Sequence, residues 1–438
     1  MMKVAFKTLG CKLNFSESST ISREFTKNGY EKVDFNKKSD VYVINTCSVT
    51  QNADKEFKYL VNKTKKNNPN AYVVAIGCYA QLKPKEISSI DGVDLVLGAD
   101  KKFDILNYLE FDKKISQNYH SCEISNVGKF KSSYSFGDRS RSFLKIQDGC
   151  DYQCSYCTIP LARGKSRSPS VNSVIDSIKV LIDKGVKEVV LTGVNIGDFG
   201  INENVKSRKN NFFDLLNQIS KINDLKRLRI SSIEPNLLNN DIIDLVGKCE
   251  KILPHFHIPL QSGSDKILRL MKRRYMRNVY ETRFDYIKKR IPEACIGSDV
   301  IVGFPGEDEL EFIETYNFLK SIDISYLHVF SYSERSNTKS VLIDNKVSKN
   351  LKNKRSKLLR ELSNSKKLKF YKKNIKNYHN VLFENENKNG YIYGYTENYI
   401  RVKSLWSNSK QNKIVNCYLD CIDSDFSCIA EQAVELKV

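Results

Sequence analysis

Three cysteines lie close together near the middle of the chain, at a spacing suited to metal chemistry. Cys150, Cys154 and Cys157 form a C-x3-C-x2-C triplet. Iron–sulfur clusters normally take four cysteine ligands, so three thiolates predict a [4Fe–4S] cluster with one iron left open. An open coordination position is typical of catalytic rather than structural metal sites. The alternatives are a zinc knuckle or three unrelated thiols, but zinc would want a fourth ligand nearby, and the nearest histidine is His120.

Three more cysteines recur at equivalent places in the first hundred residues. Each follows a short apolar segment that reads as a strand; the strands are predicted at Lys3–Lys7, Asp40–Asn45 and Ala71–Ile76, and the cysteines are Cys11, Cys47 and Cys78. In a parallel doubly wound sheet, ligands bind outside the carboxyl ends of the strands. These thiols could therefore converge and hold a second cluster. Structural cysteines would instead lie within the strands as small hydrophobic residues.

The elements that must position these cysteines suggest an α/β protein of three domains. Residues 1–115 alternate strands and helices, which predicts a doubly wound parallel sheet with a fourth strand at Val93–Leu97. Residues 136–370 contain six βα units, too few for a closed eight-fold barrel, so we expect an open, partial (β/α)6 barrel. Its strands are predicted at Phe143–Gln147, Glu188–Thr192, Leu228–Ser232, His255–Leu260, Ile296–Val302 and Tyr326–Phe330.

The last segment, residues 376–438, reads as a small β-barrel of the kind that binds oligonucleotides. Its strands are predicted at Val381–Glu384, Gly390–Tyr395, Tyr399–Lys403 and Ile414–Leu419. Tyrosines beside cations could stack on bases here; they are Tyr391, Tyr393, Tyr395 and Tyr399, with Arg401 and Lys403. The alternative is that alternate tyrosines simply fill the barrel.

The composition favours a polyanionic partner. The chain has 71 Lys and Arg against 51 Asp and Glu, a net charge of +20, which suits nucleic acid. A bias towards Lys, Asn and Ile, such as an AT-rich genome produces, could give the same excess. The stretch Lys346–Lys376 has only Glu361 as an acid and is either a solvated helix or a phosphate-binding stripe.

We find no apolar run long enough for a bilayer or a signal peptide, and expect a cytoplasmic protein without a membrane partner.

Eight ordered motifs resemble those of the methylthiotransferases, a radical S-adenosylmethionine (SAM) family with a carboxyl-terminal TRAM domain. They lie at Thr8–Asn14, Asn45–Cys47, Ile76–Gln81, Ile159–Ser168, Leu191–Asn195, Ser231–Pro235, Pro259–Ser264 and Asp299–Glu307. With the central triplet, the resemblance covers essentially the whole chain.

The resemblance implies two [4Fe–4S] clusters and SAM as cofactors. Cys150, Cys154 and Cys157 would be the catalytic ligands of the first cluster, whose open iron is chelated by SAM. The residues expected to bind SAM are Tyr156, Thr192, Gly193, Ser232, Glu234, Gln261, Ser262, Val302 and Gly303. For Glu234 the alternative is a carboxylate that complements a helix dipole.

The motif Gly10-Cys11-Lys12-Leu13-Asn14 resembles the MtaB class of this family. That class converts N6-threonylcarbamoyladenosine next to the tRNA anticodon, at position 37, to its 2-methylthio derivative. The chain departs from the class at Phe15-Ser16, where Gln-Tyr is usual. The alternatives are methylthiolation of isopentenyladenosine in tRNA or of a ribosomal-protein aspartate. A more remote one is a non-catalytic iron–sulfur module that binds RNA or senses redox state.

The resemblance also implies a mechanism. A C–H bond on adenine is neither acidic nor nucleophilic, so acid–base catalysis cannot place sulfur there. An electron delivered through the central cluster would cleave SAM to a 5′-deoxyadenosyl radical, which removes hydrogen from adenine C2. Sulfur would come from the cluster at Cys11, Cys47 and Cys78, and a second SAM would supply the methyl group. The expected partners are tRNA, a reductant and a sulfur donor.

Overall fold

Alternating strands and helices build a parallel sheet at the amino terminus. The computed structural model describes residues 1–48, 51–109, 118–137, 139–201 and 210–432, so the predicted domain ends at 110–115 and 433–438 lie outside the described residues. The elements are β1 (Lys3–Thr8), α1 (Lys12–Lys27), β2 (Glu31–Val33), β3 (Val41–Thr46), α2 (Gln51–Asn67), β4 (Tyr72–Gly77), α3 (Cys78–Leu82), α4 (Pro84–Ser88), β5 (Leu95–Leu97) and β6 (Tyr119–His120).

This sheet has the order β2-β1-β3-β4-β5-β6, and every pairing is parallel. Both faces are covered: Tyr42 and Ile44 of β3 pack into one apolar cluster, whereas Val41 and Val43 pack into another on the opposite side. A sheet buried on both faces is what a doubly wound parallel architecture requires. The predicted fold of this region is confirmed.

Two strands at the edges of the sheet were not located from the sequence. The residues of β2 are largely exposed, and β6 has only two residues. Neither carries the apolar run that identifies a buried strand. They pair because β1 and β5 offer unpaired backbone edges beside them.

The central region forms the expected partial barrel. Its elements are β7 (Arg141–Lys145), α5 (Ile159–Arg163), α6 (Val171–Asp183), β8 (Glu188–Thr192), α7 (Phe212–Ser220), β9 (Arg227–Ile230), α8 (Asn240–Lys248), β10 (His255–His257), α9 (Asp265–Leu270), α10 (Arg277–Arg290), β11 (Cys295–Val302), α11 (Glu309–Ser321) and β12 (Tyr326–Ser331). Two parallel sheets, β7-β8-β9 and β10-β11-β12, are joined by backbone bridges Leu228–Ile252 and Ser232–His257. No pairing joins β7 to β12 within the described ranges, so the barrel is open there.

The chain then runs through the long helix α12 (Lys349–Lys372) into a closed five-stranded barrel. Its strands are β13 (Tyr378–Lys388), β14 (Tyr391–Thr396), β15 (Arg401–Leu405), β16 (Ile414–Ile422) and β17 (Cys428–Gln432), in the order β13-β14-β15-β17-β16. The predicted small barrel is confirmed, although β17 was not foreseen. Cys417 and Cys428 are buried in its core, where they act as small hydrophobic residues.

The partial barrel contacts both flanking regions. Helix α1 packs against the edge strand β7, with the rings of Phe15 and Phe143 5.8 Å apart. At the start of β9, Arg227 donates a 2.5 Å hydrogen bond to the Asn380 carbonyl of the small barrel. Strand β7 and the small barrel meet where Arg141 lies 4.5 Å from the ring of Tyr395. The sequence-based boundaries between the three domains stay predictions. None of the helices in the described part of the chain is long and apolar enough to cross a bilayer.

Candidate active site

The loop after β7 carries the central cysteine triplet, and Gln147 holds its shape. The amide nitrogen of Gln147 donates to the Gly149 carbonyl at 2.8 Å and to Ser166 at 2.9 Å, while its oxygen accepts from the Val194 and Asn195 backbones. Gly149 has a positive φ of 71°, and a side-chain carbon there would lie 1.9 Å from the Lys165 carbonyl oxygen. Only glycine fits this turn.

The three thiols of the loop are half-buried and free of disulfides. The Cys150 sulfur accepts a hydrogen bond from the Tyr152 backbone at 3.4 Å, and the Cys154 sulfur accepts one from Arg273 at 3.1 Å. Burial raises the pKa of Cys150 and of Cys157 to about 12. Without a metal centre these are protonated thiols, and a bound cluster must displace their protons. Three soft sulfur donors in one loop fit an iron–sulfur cluster.

Arg273 joins several predicted SAM-binding residues to the triplet. It forms an ion pair with Glu234 and lies 3.4 Å from the Tyr156 hydroxyl. The Tyr156 ring contacts the edge of Phe304, at a centroid distance of 6.1 Å, in the turn that begins at Val302 and Gly303. The structure thus brings Tyr156, Glu234 and this turn together. Sequence reasoning missed Arg273, since nothing local separates it from the many other basic residues.

The remaining predicted SAM-binding residues lie in different surroundings. Thr192 and Gly193 stand directly behind the cysteine loop: the Thr192 carbonyl accepts from the Ile146 backbone at 2.9 Å, and a side-chain carbon at Gly193 would lie 3.0 Å from Gln147. Ser262 is buried and its hydroxyl lies 3.2 Å from Thr315 of α11. Their roles in binding SAM stay predictions.

Two more of these residues lie on the inner side of the barrel. Gln261 bridges the backbone of β11, with a positive φ of 67°. The hydroxyl of Ser232 lies 2.7 Å from Nδ1 of His257, and His257 and His328 both lie close to Asp299, at 3.1 and 3.2 Å. The inner faces of β10, β11 and β12 therefore carry a polar cluster next to the predicted SAM site.

The amino-terminal cysteines occupy the carboxyl ends of neighbouring strands, as predicted. Cys11 caps α1, Cys47 follows β3, and Cys78 begins α3 directly after β4. The side-chain amide of Asn14 donates to the Leu9 and Thr46 carbonyls, both at 3.0 Å, which ties the first two loops together.

The loops of this set approach closely. A side-chain carbon at Gly10 would lie 2.8 Å from the Cys47 sulfur. Thr46 donates to the Ile76 carbonyl at 2.7 Å and accepts from the Ala80 backbone at 3.1 Å, which joins the second loop to α3. Burial raises the pKa of Cys78, and the charge of Cys11 acts in the same direction. The arrangement suits the binding of one metal cluster by the three thiols.

The two cysteine sets adjoin each other. Ser48, which follows Cys47, lies 3.3 Å from Thr158, which follows Cys157, hydroxyl to hydroxyl. Helix α3 packs against α5 at the same place. Successive Cα atoms are only about 3.8 Å apart. Cys47 and Cys157, which precede these two residues, therefore lie in adjoining loops.

A buried network of charges lies between the two sets. Glu17 of α1 accepts from Arg163 at 3.1 Å, from Lys145 at 3.1 Å and from Lys102 at 2.6 Å, and Arg163 also binds Asp148 at 2.9 Å. Burial alone would raise the pKa of Glu17, but Arg163, Lys102 and Lys145 together hold it below its ordinary value. Sequence reasoning placed Arg163 in a motif without giving it a role.

The basic stretch and the tail tyrosines divide into buried and exposed members. Lys366 is 8% exposed and donates to the Lys320 and Ile322 carbonyls, so it is unavailable to phosphate and the stripe prediction is wrong for this residue. Lys369 and Lys373 pair with Asp323, and the side chain of Lys372 is exposed.

Among the four tyrosines, two keep the predicted arrangement. Arg401 lies 4.6 Å from the Tyr393 ring, and Lys403 lies 5.1 Å from the Tyr391 ring. Tyr395 and Tyr399 instead stack on each other at 4.8 Å and meet arginines of the partial barrel. The Tyr391 ring is 38% exposed, whereas Lys403 beside it is buried and pairs with Asp423.

Comparisons with known proteins agree with this architecture. Residues 3–98 match the uncharacterized protein family UPF0004, and residues 144–319 match the radical SAM superfamily. The fold is similar to that of the radical S-adenosylmethionine methyltransferase TsrM from Kitasatospora setae, solved with cobalamin and a [4Fe-4S] cluster bound. The TM-score is 0.54 at 13% identity, over 76% of this chain and 75% of that chain.

Relatives of similar length carry methylthiotransferase names. The threonylcarbamoyladenosine tRNA methylthiotransferase MtaB of Aquifex aeolicus (strain VF5) is 40% identical, over 92% of this chain and 96% of the relative. That of Bacillus subtilis (strain 168) is 39% identical, over 95% and 93%. A tRNA-2-methylthio-N(6)-dimethylallyladenosine synthase from Thermodesulfovibrio yellowstonii is 32% identical, over 94% and 95%. The radical SAM domain implies SAM and a [4Fe–4S] cluster as cofactors. Similarity along almost the whole of these relatives shows that the chain belongs to the radical SAM methylthiotransferase family.

Proposed function

We propose that this protein converts N6-threonylcarbamoyladenosine at tRNA position 37, next to the anticodon, to its 2-methylthio derivative. The contact between Ser48 and Thr158 carries the proposal, because it joins the loops of the two cysteine sets. Sulfur insertion at an unactivated C–H bond needs a radical source and a sulfur source side by side. The proposed substrate is the one that the names of the two MtaB relatives give.

Each cysteine set has its own task in this proposal. Cys150, Cys154 and Cys157 hold the cluster that, with SAM, supplies the radical chemistry, and Cys11, Cys47 and Cys78 hold a second [4Fe–4S] cluster as the source of sulfur. The chain itself fixes the separation of the two sites through Gln147, Asn14 and the packing of α3 on α5. The buried Glu17 network joins α1 to Lys145 and Arg163 on either side of the triplet.

Charges beside the triplet support binding of SAM. Glu234 and Arg273 lie next to Cys154. A carboxylate and a guanidinium there complement the ammonium and carboxylate groups of the methionyl part of SAM. Tyr156, packed on Phe304, supports an aromatic face for the adenine. The exposed ring of Tyr391 and the pair of Tyr393 with Arg401 support binding of tRNA by the small barrel, and a reductant and a sulfur donor complete the proposed partners.

Nucleoside mass spectrometry of tRNA from a strain that lacks the gene tests the substrate. We expect loss of 2-methylthio-threonylcarbamoyladenosine, accumulation of its unmodified precursor, and recovery when the wild-type chain is restored. Restoring a Cys11→Ala, Cys47→Ala, Cys78→Ala chain is the matched control and should not recover the product. Loss of methylthiolated isopentenyladenosine, or of a methylthiolated ribosomal aspartate, with threonylcarbamoyladenosine methylthiolation intact, would contradict the proposed substrate.

A further inference from the structure

Lys12 occupies a position that local helix stability does not explain. It is the first residue of α1 and directly follows Cys11, the cap of that helix. A cation in the first turn opposes the helix dipole, which favours acidic residues there. The first turn of α1 has no acidic residue. A reason for a lysine at this place must therefore come from what surrounds it.

Lys12 lies near charged groups of the amino-terminal half of the partial barrel and near the small barrel. The charged groups are Arg141 of β7, Glu188 of β8 and Arg229 of β9, and the neighbour from the small barrel is the phenol of Tyr399. Lys12 therefore extends from the amino-terminal domain towards the inner side of the barrel. We call the space bounded by these side chains and by the inner faces of β7–β12 the lumen.

The other cations of the lumen already have partners. Arg229 binds both oxygens of Glu188, at 2.8 and 3.3 Å, and donates to the Thr396 and Glu397 carbonyls. Arg141 lies 3.7 Å from Glu384 and over the Tyr395 ring. For Lys12, the described part of the chain provides no acceptor within hydrogen-bond or ion-pair distance.

Exposed side chains show that water reaches the lumen. The Lys12 side chain is exposed, although Glu188 and Arg229 near it are buried and the protein that surrounds Lys12 lowers its pKa. On β12, the His328 side chain is 54% exposed even though it contacts Asp299 of the neighbouring strand. An exposed, unpaired ammonium group inside an open barrel is suited to a small anion that enters from solvent.

We propose that Lys12 binds the carboxylate of the threonylcarbamoyl arm and is a specificity-determining residue of this enzyme. This inference rests on the proposed function, which makes threonylcarbamoyladenosine the substrate. The arm on N6 and the reacting C2 belong to the same adenine, and Lys12 is next to Cys11 in the set assigned to sulfur delivery, so one bound base can reach both. An isopentenyl arm is apolar and offers nothing to an ammonium group, which would then stay unpaired.

A double-mutant cycle between enzyme and substrate tests the contact. The substrates are anticodon stem-loop RNAs that carry either the threonyl acid or its carboxamide, and the enzymes are wild type, Lys12→Gln, Lys12→Met and Lys12→Arg. Lys27→Gln, at the exposed far end of α1, is the matched control. The measurement is kcat/KM for the methylthiolated product by mass spectrometry, with the iron content of each enzyme determined in parallel.

We expect Lys12→Gln to lose about 10- to 100-fold in kcat/KM on the acid, the range of one charge-assisted hydrogen bond, and far less on the carboxamide. Wild type should prefer the acid by a similar factor, Lys12→Arg should recover part of the loss, and Lys27→Gln should follow wild type. Equal losses on both RNAs would overturn the inference, as would failure of both neutral variants to assemble clusters, because either gives Lys12 a structural role. If wild type does not methylthiolate the acid RNA at all, the proposed function itself fails.

Discussion

The two cysteine sets differ in how the chain builds them. Cys150, Cys154 and Cys157 lie in one loop, which Gln147 and Gly149 hold in shape. Cys11, Cys47 and Cys78 come from the ends of three strands and meet only when the parallel sheet has formed. The first set depends on local geometry, whereas the second depends on the tertiary fold.

Their charged neighbours differ as well. Arg273 donates to Cys154 and pairs with Glu234, so a cation and an anion stand together where SAM is expected. Near Cys78 and Cys11 the cation is Arg163, whose anions Glu17 and Asp148 are fully buried. The Arg273–Glu234 pair is a single ion pair in which 4% and 14% of the two side chains are exposed, whereas Glu17 is fully buried and is shared by three cations. The central set therefore has one ion pair beside it, and the amino-terminal set has a network of several charges.

Removing the central set should have the largest effect. In the Cys150→Ala, Cys154→Ala, Cys157→Ala variant, reductive cleavage of SAM should fall to background and about half of the iron should remain. Formation of 5′-deoxyadenosine with dithionite measures the first effect, and iron analysis the second. Cys249→Ala, in neither set, is the control. A folded triple variant that still cleaves SAM would contradict the assignment of this loop to the SAM-cleaving cluster.

Removing the amino-terminal set should separate the two tasks. In the Cys11→Ala, Cys47→Ala, Cys78→Ala variant, methylthiolation should stop. 5′-Deoxyadenosine should still form, because the thiols that hold the SAM-cleaving cluster lie in another domain. Product analysis of threonylcarbamoyladenosine-containing tRNA is the measurement. If methylthiolated product still formed, these three cysteines would be structural, and the contrast between the two sets would disappear.

The Glu17 network should matter for stability. Glu17→Gln leaves Arg163, Lys102 and Lys145 without their shared carboxylate, and breaking a buried ion pair costs about 3–5 kcal/mol. The free energy of unfolding in urea, measured anaerobically, checks this. The control is Glu24→Gln on the same helix, which removes an exposed ion pair with Lys27. It should change the free energy of unfolding by less than about 1 kcal/mol.

The same network predicts a pH dependence. The pKa of Glu17 is lower in the folded chain than its ordinary value, so its contribution to stability is present above about pH 4.3, the usual pKa of an unfolded glutamate. The contribution is lost as the pH falls towards the folded pKa. The stability difference between wild type and Glu17→Gln should therefore narrow below about pH 4. A difference that stays constant down to pH 3 would contradict the charged state of Glu17.

The smallest expected effect tests whether RNA is bound outside both cysteine sets. The quantity to compare is the slope of the logarithm of the tRNA binding constant against the logarithm of the salt concentration. Lys372→Gln on α12 should make this slope shallower by about 0.7–0.9, the effect of one phosphate contact. Binding titrations at several salt concentrations measure it. Lys366 lies on the same helix but is buried, so Lys366→Gln should lower stability and leave the slope unchanged. Equal slopes for wild type and Lys372→Gln would show that Lys372 does not contact a phosphate of the RNA.

The sequence by itself determined the central triplet, most strands and the order of the three regions. Three thiols within one short loop need no distant partner to be recognised, and apolar runs such as Val41–Ile44 identify buried strands locally. The amino-terminal set could be predicted because parallel strands place their carboxyl ends at one edge. Strands without an apolar run, such as β2, were missed because only pairing with a neighbour makes them strands.

Only the tertiary structure decided which polar side chains meet. Arg273 reaches Cys154 across more than a hundred residues, and Arg163 joins Glu17 across a similar distance. Lys366 is buried and Lys372 exposed, although their local sequences are alike. The burial and pairing of a charged side chain depend on the residues that pack against it. Those residues are distant in the sequence, so the local sequence does not identify them. For this reason the cysteine sets could be read from the chain, while the charges that surround them could not.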